Sequence, residues 1–96
     1  MYLVVSRWEA LPGKEAEFER VGREIGGVLR GQPGVRFVEV IENGSQHVSV
    51  HAYEDEATYR RLVQDENSAF NRALADRRVE EVARWLDSTR GETLPH

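Results

Sequence analysis

The Asn43-Gly44 pair constrains the fold of this chain more than any other local feature. Both residues tolerate the positive φ that a tight β-hairpin turn requires. Alternating side chains flank the pair, over Val35–Glu42 before it and Gln46–Tyr53 after it. Alternation with a period of two is typical of strands. The middle of the chain is therefore predicted to form two antiparallel strands that are neighbours in one sheet.

A third strand and a helix are predicted before the hairpin. Tyr2–Trp8 is rich in β-branched and aromatic residues, which favours a strand. Pro12 and Gly13 then supply a turn. From Lys14 to Arg30 apolar residues recur at helical spacing: Phe18, Val21, Ile25, Val28 and Leu29. Gly31 follows where a helix commonly ends, so the helix is predicted over Lys14–Arg30.

The pattern after the hairpin is again helical. Ala57, Tyr59, Leu62 and Val63 are spaced as on one helix face, starting from Asp55. The polar stretch 65–68 interrupts this pattern, and a second helical segment then carries Ala69, Phe70, Ala73 and Leu74. The order up to this point is therefore predicted to be β-α-β-β-α.

The last part of the chain fits two structures. Val79, Val82, Ala83 and Leu86 have helical spacing, whereas 82–89 also alternates as a strand would. Local pattern slightly favours the helix, but one more strand would complete a ferredoxin-like β-α-β-β-α-β unit. We therefore predict an α+β domain over residues 1–96 with an antiparallel sheet. Its fourth strand is expected within Val82–Thr89, before a tail at 91–96 that could reach a neighbouring subunit.

Composition excludes several classes of protein. A chain of 96 residues allows one domain with one modest core. Its 13 basic and 17 acidic residues give a net charge of −4, which argues against a nucleic-acid or anionic-membrane partner. The absence of cysteine excludes disulfides and thiolate chemistry. We also expect no transmembrane segment and no signal peptide, so the expected location is the cytoplasm.

Both faces of the predicted sheet are apolar. A sheet packed against helices normally buries one face and leaves the other polar. Here the first two strands carry apolar residues on both sides: Leu3 and Val5 opposite Tyr2, Val4 and Trp8, then Val35, Phe37 and Ile41 opposite Val38 and Val40. A second copy of the chain, packed sheet to sheet through a two-fold axis, is the simplest cover. We therefore expect a homodimer through the sheet faces.

Several stretches resemble the antibiotic biosynthesis monooxygenase domain: Val5–Glu9 followed by Leu11–Lys14, then a helix ending in Gln32–Val35, and the strand exit Val50–Ala57. The resemblance implies a dimeric α/β barrel with a cavity between helices and sheet in each subunit. Members of that family oxidise anthrones or quinols with molecular oxygen and without a metal or flavin. Another branch degrades haem, and others in the superfamily isomerise small acids.

No cofactor or metal is expected. The haem-degrading branch uses an Asn, a Trp and a His, and this chain places Ser6, Leu62 and Leu74 at or near those positions. The only Met is Met1, and the three His residues fall outside the predicted helices. His47 and His51 are four residues apart on a strand, hence about 13 Å between Cα atoms, too far to bind one metal ion together.

His51 is the candidate catalytic residue. It shares a strand face with His47, Ser49 and Tyr53, and its ordinary pKa suits a general base for a phenolic or anthrone proton. The alternative is a hydrogen-bonded histidine at a subunit contact or sheet edge. Five residues are candidate substrate-binding residues, with simple core packing as the alternative: Ser6, Trp8, Tyr53, Tyr59 and Phe70.

Glycines inside the first helix are also unusual, because each costs helix stability. Gly22, Gly26 and Gly27 either allow close helix packing or lie on a tolerant surface. The alternative is that Gly22 and Gly26, four residues apart on one flank, leave room for a ligand between helix and sheet. The functional prediction is a cofactor-independent monooxygenase for a small planar aromatic, such as a quinol or an anthrone. The alternatives are a non-catalytic ligand-binding or dimerisation module and a proton-transfer isomerase, for which His51 would serve equally well.

Overall fold

The computed structural model describes residues 1–95 and consists of one four-stranded sheet with helices on one side. The strands are β1 (Tyr2–Ala10), β2 (Val35–Asn43), β3 (Gln46–Tyr53) and β4 (Ala83–Glu92). The helices are α1 (Glu15–Arg30), α2 (Glu56–Tyr59), which continues as a π-helical turn (Arg60–Gln64), and α3 (Ala69–Asp76); a 3₁₀ turn (Val79–Glu81) precedes β4. All neighbouring strands are antiparallel in the order β2-β3-β1-β4, which confirms the predicted ferredoxin-like fold.

The last segment forms the predicted fourth strand and not a helix. Local helical structure there is limited to the Val79–Glu81 turn, which follows Arg78 in a left-handed conformation (φ +50°). β4 then pairs with β1 from Ala83 to Glu92, with Leu86 as an extra residue in the ladder, so sheet hydrogen bonds outweigh the local helical pattern. Glu92 still pairs with Tyr2. The tail predicted at 91–96 therefore begins later, at Thr93, and His96 lies outside the described residues.

A bulge changes which residues share a face of β2. Val35 pairs with Tyr53, whereas Phe37 pairs with the adjacent Ala52, so Arg36 is an extra residue in the ladder. An inserted residue reverses the alternation on one side of the bulge. The prediction that Val35 shares a face with Phe37 is therefore wrong, because Val35 faces the helices together with Val38.

The helices cover only one face of the sheet. That face and the helices form a single core, whose largest fully buried side chains include Tyr53, Leu29, Val21 and Val38. Apolar side chains also cover the opposite face, which we call the outer face: Leu3, Val5, Phe37, Ile41, Val48 and Val50. Ile41 is 61% exposed and Phe37 is 37% exposed. Among residues 1–95, no helix is long and apolar enough to cross a membrane.

Side-chain caps fix where the helices after β3 begin. The backbone N–H and the hydroxyl of Thr58 both donate to Oδ1 of Asp55, at 2.8 and 2.7 Å. The backbone N–H of Asn71 donates to Oγ of Ser68 at 3.1 Å, which starts α3. Such caps satisfy backbone donors that have no partner inside the helix. They set the position from which α3 extends Phe70 and Leu74 toward the sheet.

Replacing Gly34 with alanine should destabilise the fold. Gly34 has φ +89°, and a Cβ there would lie 2.7 Å from Cγ2 of Thr58, which Asp55 holds in place. Strain in the backbone and the steric clash together should cost about 2–4 kcal/mol of unfolding free energy in urea titrations. Gly13→Ala is the control, because φ is +78° there but no atom lies within 4 Å. Equal losses for the two variants would contradict the clash.

Candidate functional site

A cavity of about 350 Å³ lies between α1, α3 and the helix-facing side of β2 and β3. Its volume is within the usual range for sites that bind small organic molecules. Gly22 and Gly26 line it from α1, and a Cβ at Gly22 would have no atom within 4 Å. These two helix glycines therefore leave open space beside the sheet, which fits the interpretation that they make room for a ligand.

A row of polar side chains on β3 forms the floor of the cavity. His47, Ser49 and His51 occupy alternate positions and all line it. Within residues 1–95, His47 and Ser49 make no side-chain hydrogen bond, and His51 bonds only to Tyr53. Every fully buried side-chain N or O in that range has a partner, so the unpaired atoms of this row must be accessible. They can therefore hydrogen-bond a molecule that enters the cavity.

The environment of His51 keeps its ring neutral. Burial, with a contribution from the charge of Arg30, lowers the pKa of His51 to about 4. Nδ1 lies 3.2 Å from Oη of Tyr53, and burial raises the pKa of Tyr53, which keeps its hydroxyl protonated. Nε2 has no partner among the described residues and is one of the accessible atoms. His51 thus presents an uncharged ring nitrogen to the cavity.

Aromatic rings enclose the two ends of the polar row. Phe18 stacks on His47 with ring centroids 4.5 Å apart, and Trp8 lies 6.4 Å from Phe18. At the other end the Phe70 ring meets His51 edge-on, with centroids 6.2 Å apart. Aromatic walls with a few polar groups are typical of pockets that hold flat organic ligands. The site therefore suits a planar molecule with oxygen atoms along one edge.

The structure brings together only some of the predicted site residues. Trp8 and Phe70 line the cavity with His51, whereas Ser6, Tyr53 and Tyr59 are outside its lining. Oγ of Ser6 lies 2.7 Å from Oγ of Ser88 on β4, and β4 is next to β1 on the side away from β3 and the cavity. Tyr59 packs against Tyr2 with centroids 5.0 Å apart, and the Tyr53 hydroxyl contacts His51 from behind.

Sequence patterns gave no indication of Arg30, the last residue of α1. Its Nε and Nη2 donate to the backbone oxygen of Val38, at 3.3 and 2.8 Å, and it lines the cavity. A basic residue at a helix C-terminus is common for electrostatic reasons alone. Only the packing of α1 across β2 places this side chain near His51. No group of three or more acidic or histidine side chains within residues 1–95 is arranged to hold a metal ion.

The family model for antibiotic biosynthesis monooxygenases matches residues 1–69. Among solved structures, SnoaB, a cofactor-independent oxygenase from Streptomyces nogalater, is similar with a TM-score of 0.80 at 16% identity, over 99% of this chain and 94% of that chain. Rv0793 from Mycobacterium tuberculosis gives a TM-score of 0.78 at 17% identity, over 99% and 96%. NE2512, a protein of unknown function from Nitrosomonas europaea, gives 0.70 at 19%, over 99% and 94%.

No curated protein matches the sequence significantly. The structural similarities show a shared fold at low identity, and the family model covers well over half of the chain. The chain belongs to the antibiotic biosynthesis monooxygenase family.

Proposed function

We propose that this protein is a cofactor-independent monooxygenase that oxidises a small planar aromatic, such as an anthrone or a quinol, in the cavity between α1 and the sheet. One observation carries the proposal: an uncharged histidine with an accessible ring nitrogen faces an aromatic-walled slot. Membership of the family and a fold shared with SnoaB, itself a cofactor-independent oxygenase, support the same reaction class.

His51 is the proposed general base. In the tautomer that donates Nδ1–H to the Tyr53 oxygen, the lone pair of Nε2 faces the cavity and can accept a proton. For an anthrone this proton comes from the ring CH₂ group, and the electron pair of that C–H bond delocalises onto the carbonyl oxygen. The Tyr53 hydroxyl keeps the ring oriented and accepts a hydrogen bond from the imidazolium that forms.

The substrate anion supplies the electrons for oxygen. Its carbon forms a bond to O₂, which becomes a peroxide, and the proton held by His51 converts this to a hydroperoxide. Loss of the remaining hydrogen on that carbon and cleavage of the O–O bond give a carbonyl and one water. One oxygen atom is then in the product and the other in water, and the CH₂ carbon is the group oxidised. No further reductant is needed for this balance.

Oxygen consumption tests the proposal. Purified protein treated with a chelator should consume O₂ above the buffer rate with at least one member of a panel of anthrones and quinols. Mass spectrometry after reaction under ¹⁸O₂ should show one labelled atom in the product of an anthrone. Conversion without O₂ consumption would indicate an isomerase instead, and binding without conversion would indicate a ligand-binding module. Either result would overturn the oxygenase.

Filling the cavity from α1 should weaken ligand binding without destabilising the fold. Gly22→Leu places a side chain in open space and removes a helix glycine, so stability should stay equal or rise by about 0.5–1 kcal/mol. The dissociation constant of anthraquinone, followed by fluorescence quenching of Trp8 and Trp85, should rise at least about tenfold, because the side chain displaces ligand.

Gly27→Leu is the matched control for that variant. Gly27 lies on the same helix and is exposed, its Cβ would also have no atom within 4 Å, and it is not part of the cavity lining. It should therefore show the same change in stability and unchanged binding. A Gly22→Leu protein that binds anthraquinone as the wild type does would show that the ligand occupies another site.

We also propose that a second copy of the chain covers the outer face. Four strands of 8 to 10 residues give this face a flat area of roughly 19 by 30 Å. Side chains that project from the sheet increase its accessible area toward about 800 Å² per partner, the size typical of a stable interface. Its charges are largely paired within the chain, Arg7 with Asp87 and Arg84 with Glu9. Two copies can therefore approach without strong repulsion.

A further inference from the structure

We infer that Arg30 is the group that stabilises negative charge on the bound substrate, through contact of its guanidinium with an oxygen of the aromatic ring system. The inference rests on the proposed function, because it concerns the same cavity. It adds a requirement that the monooxygenase proposal does not contain: the ligand must carry, or acquire during the reaction, an anionic oxygen at the end of the cavity where α1 stops.

Two hydrogen bonds hold the Arg30 side chain in place. Its Nε and Nη2 both donate to the backbone oxygen of Val38. Val38 is on the edge strand β2 and pairs with His51 on β3, so this attachment fixes the guanidinium beside the proposed base. Val38 itself is 2% exposed, so the point of attachment is in the buried part of the sheet. The position of the charge is therefore set by the backbone of the sheet.

The third guanidinium nitrogen is left for a ligand. Nη1 makes no hydrogen bond and no ion pair within residues 1–95, and it lies 3.8 Å from the place that a Cβ would take at Gly26. Gly26 is buried, and both Gly26 and Arg30 line the cavity, which places Nη1 at its edge. An arginine with two donors attached to the protein and one directed at a cavity can bind an anionic oxygen with little loss of side-chain entropy.

The other charged or titratable groups around the cavity do not replace Arg30. Those on its lining are Glu19 and Arg23 on α1, Glu39 and Glu42 on β2, and His47 and His51 on β3. The lining residues from β1, α3 and the 3₁₀ turn are uncharged: Trp8, Phe70, Leu74 and Val79. Among the described residues, Arg30 is the charge that contributes to the lowered pKa of His51, so its charge acts at the base.

This arrangement answers a difficulty in the proposed chemistry. A histidine whose pKa is lowered by burial and a nearby cation is deprotonated at neutral pH, but it accepts a proton weakly. The same cation favours the anion that proton transfer leaves on the substrate. Arg30 therefore makes His51 harder to protonate and the substrate easier to ionise, and the two effects offset each other.

The test uses 2-hydroxyanthraquinone, whose phenol and phenolate forms differ in visible absorbance. Its absorbance is titrated between about pH 6 and about pH 10, above the pKa of His51, in complexes with the wild type, Arg30→Gln and Arg23→Gln. In the wild type the apparent pKa of the bound probe should fall by about one unit from that of the free probe. Arg30→Gln should lose most of this shift and weaken phenolate binding about tenfold, with neutral anthraquinone binding unchanged.

Arg23→Gln is the matched control, because Arg23 lines the same cavity from the same helix without the bonds to Val38. It should keep the shift, and Arg30→Lys should keep part of it because the charge remains. Thermal unfolding verifies that each variant is folded. A wild-type complex without the shift, a shift that survives in Arg30→Gln, or failure of the probe to bind would each overturn the role of Arg30. An Arg30-dependent shift in a protein that consumes no O₂ would instead overturn the oxygenase alone.

Discussion

Replacing His51 with glutamine should lower the rate of O₂ consumption at least about 100-fold, the usual contribution of a positioned general base. Glutamine retains a polar side chain of similar length but accepts no proton at neutral pH. His51 makes one side-chain hydrogen bond, to Tyr53, so the fold should tolerate the change. Binding of anthraquinone should remain within a few-fold of the wild type. The measurement is initial O₂ uptake at saturating substrate, with the dissociation constant measured in parallel.

His47→Gln is the matched control for this variant. His47 is on the same strand, lines the same cavity and stacks on Phe18, but it lies at the opposite end of the polar row from Phe70. Its loss should change binding more than turnover. If O₂ uptake survives in His51→Gln, the oxygenase remains and His51 is not its base. If both variants lose activity equally, the row acts in binding and the base is elsewhere.

The pH profile gives a second, independent test of His51. A base must be unprotonated, and the pKa of His51 is lowered from its ordinary value of 6.5 to about 4. His51 is therefore in its active form at every pH above that value. The acidic limb of kcat/KM should lie near pH 4, and activity should not fall on passing from pH 7 to about pH 5.5. A limb near the ordinary histidine pKa would show that the base is a solvated group.

The elements of the fold were predictable because their signals are local. The hairpin signal at Asn43-Gly44, the proline and glycine at 12 and 13, and the periodicity of α1 each act over a few residues. The turn itself is at Gly44 and Ser45, because Asn43 still pairs with Gln46 and has no positive φ. The fourth strand was predicted only from topology, because Val79–Leu86 also fits a helix and the pairing with β1 decides between them. The bulge at Arg36 was not predictable, since nothing in the local alternation of β2 marks it.

The site was predictable to the extent that it follows from strand alternation. His51 shares its face with His47 and Ser49 because they are two residues apart, and that face lines the cavity. Alternation does not say how far the cavity extends across the sheet. On β1 the cavity is lined by Trp8 but not by Ser6, which contacts Ser88 on β4 instead. The position of Arg30 in the site depends on how α1 crosses β2, and no local sequence pattern predicts this tertiary contact.

Replacing Val50 with aspartate should convert a dimer into a monomer. Val50 is on the outer face of the inner strand β3, paired with Val5 on one side and Glu39 on the other. A carboxylate buried there without a partner costs several kcal/mol, and each 1.4 kcal/mol is about a tenfold change in the dissociation constant. Light scattering should therefore give a dimer mass for the wild type at micromolar concentration and a monomer mass for Val50→Asp.

Val40→Asp is the matched control, because it adds the same charge on the other face of the sheet. Val40 is a 48% exposed valine on β2, but it lines the cavity on the helix-facing side of the sheet. This variant should remain a dimer and lose affinity for anthraquinone. Val50→Asp should instead be a monomer that still binds anthraquinone, because the cavity is formed within one chain, on the other face of the sheet. A monomer mass for the wild type at micromolar concentration would contradict the dimer, and a dimeric Val50→Asp would show that the subunits meet through another surface.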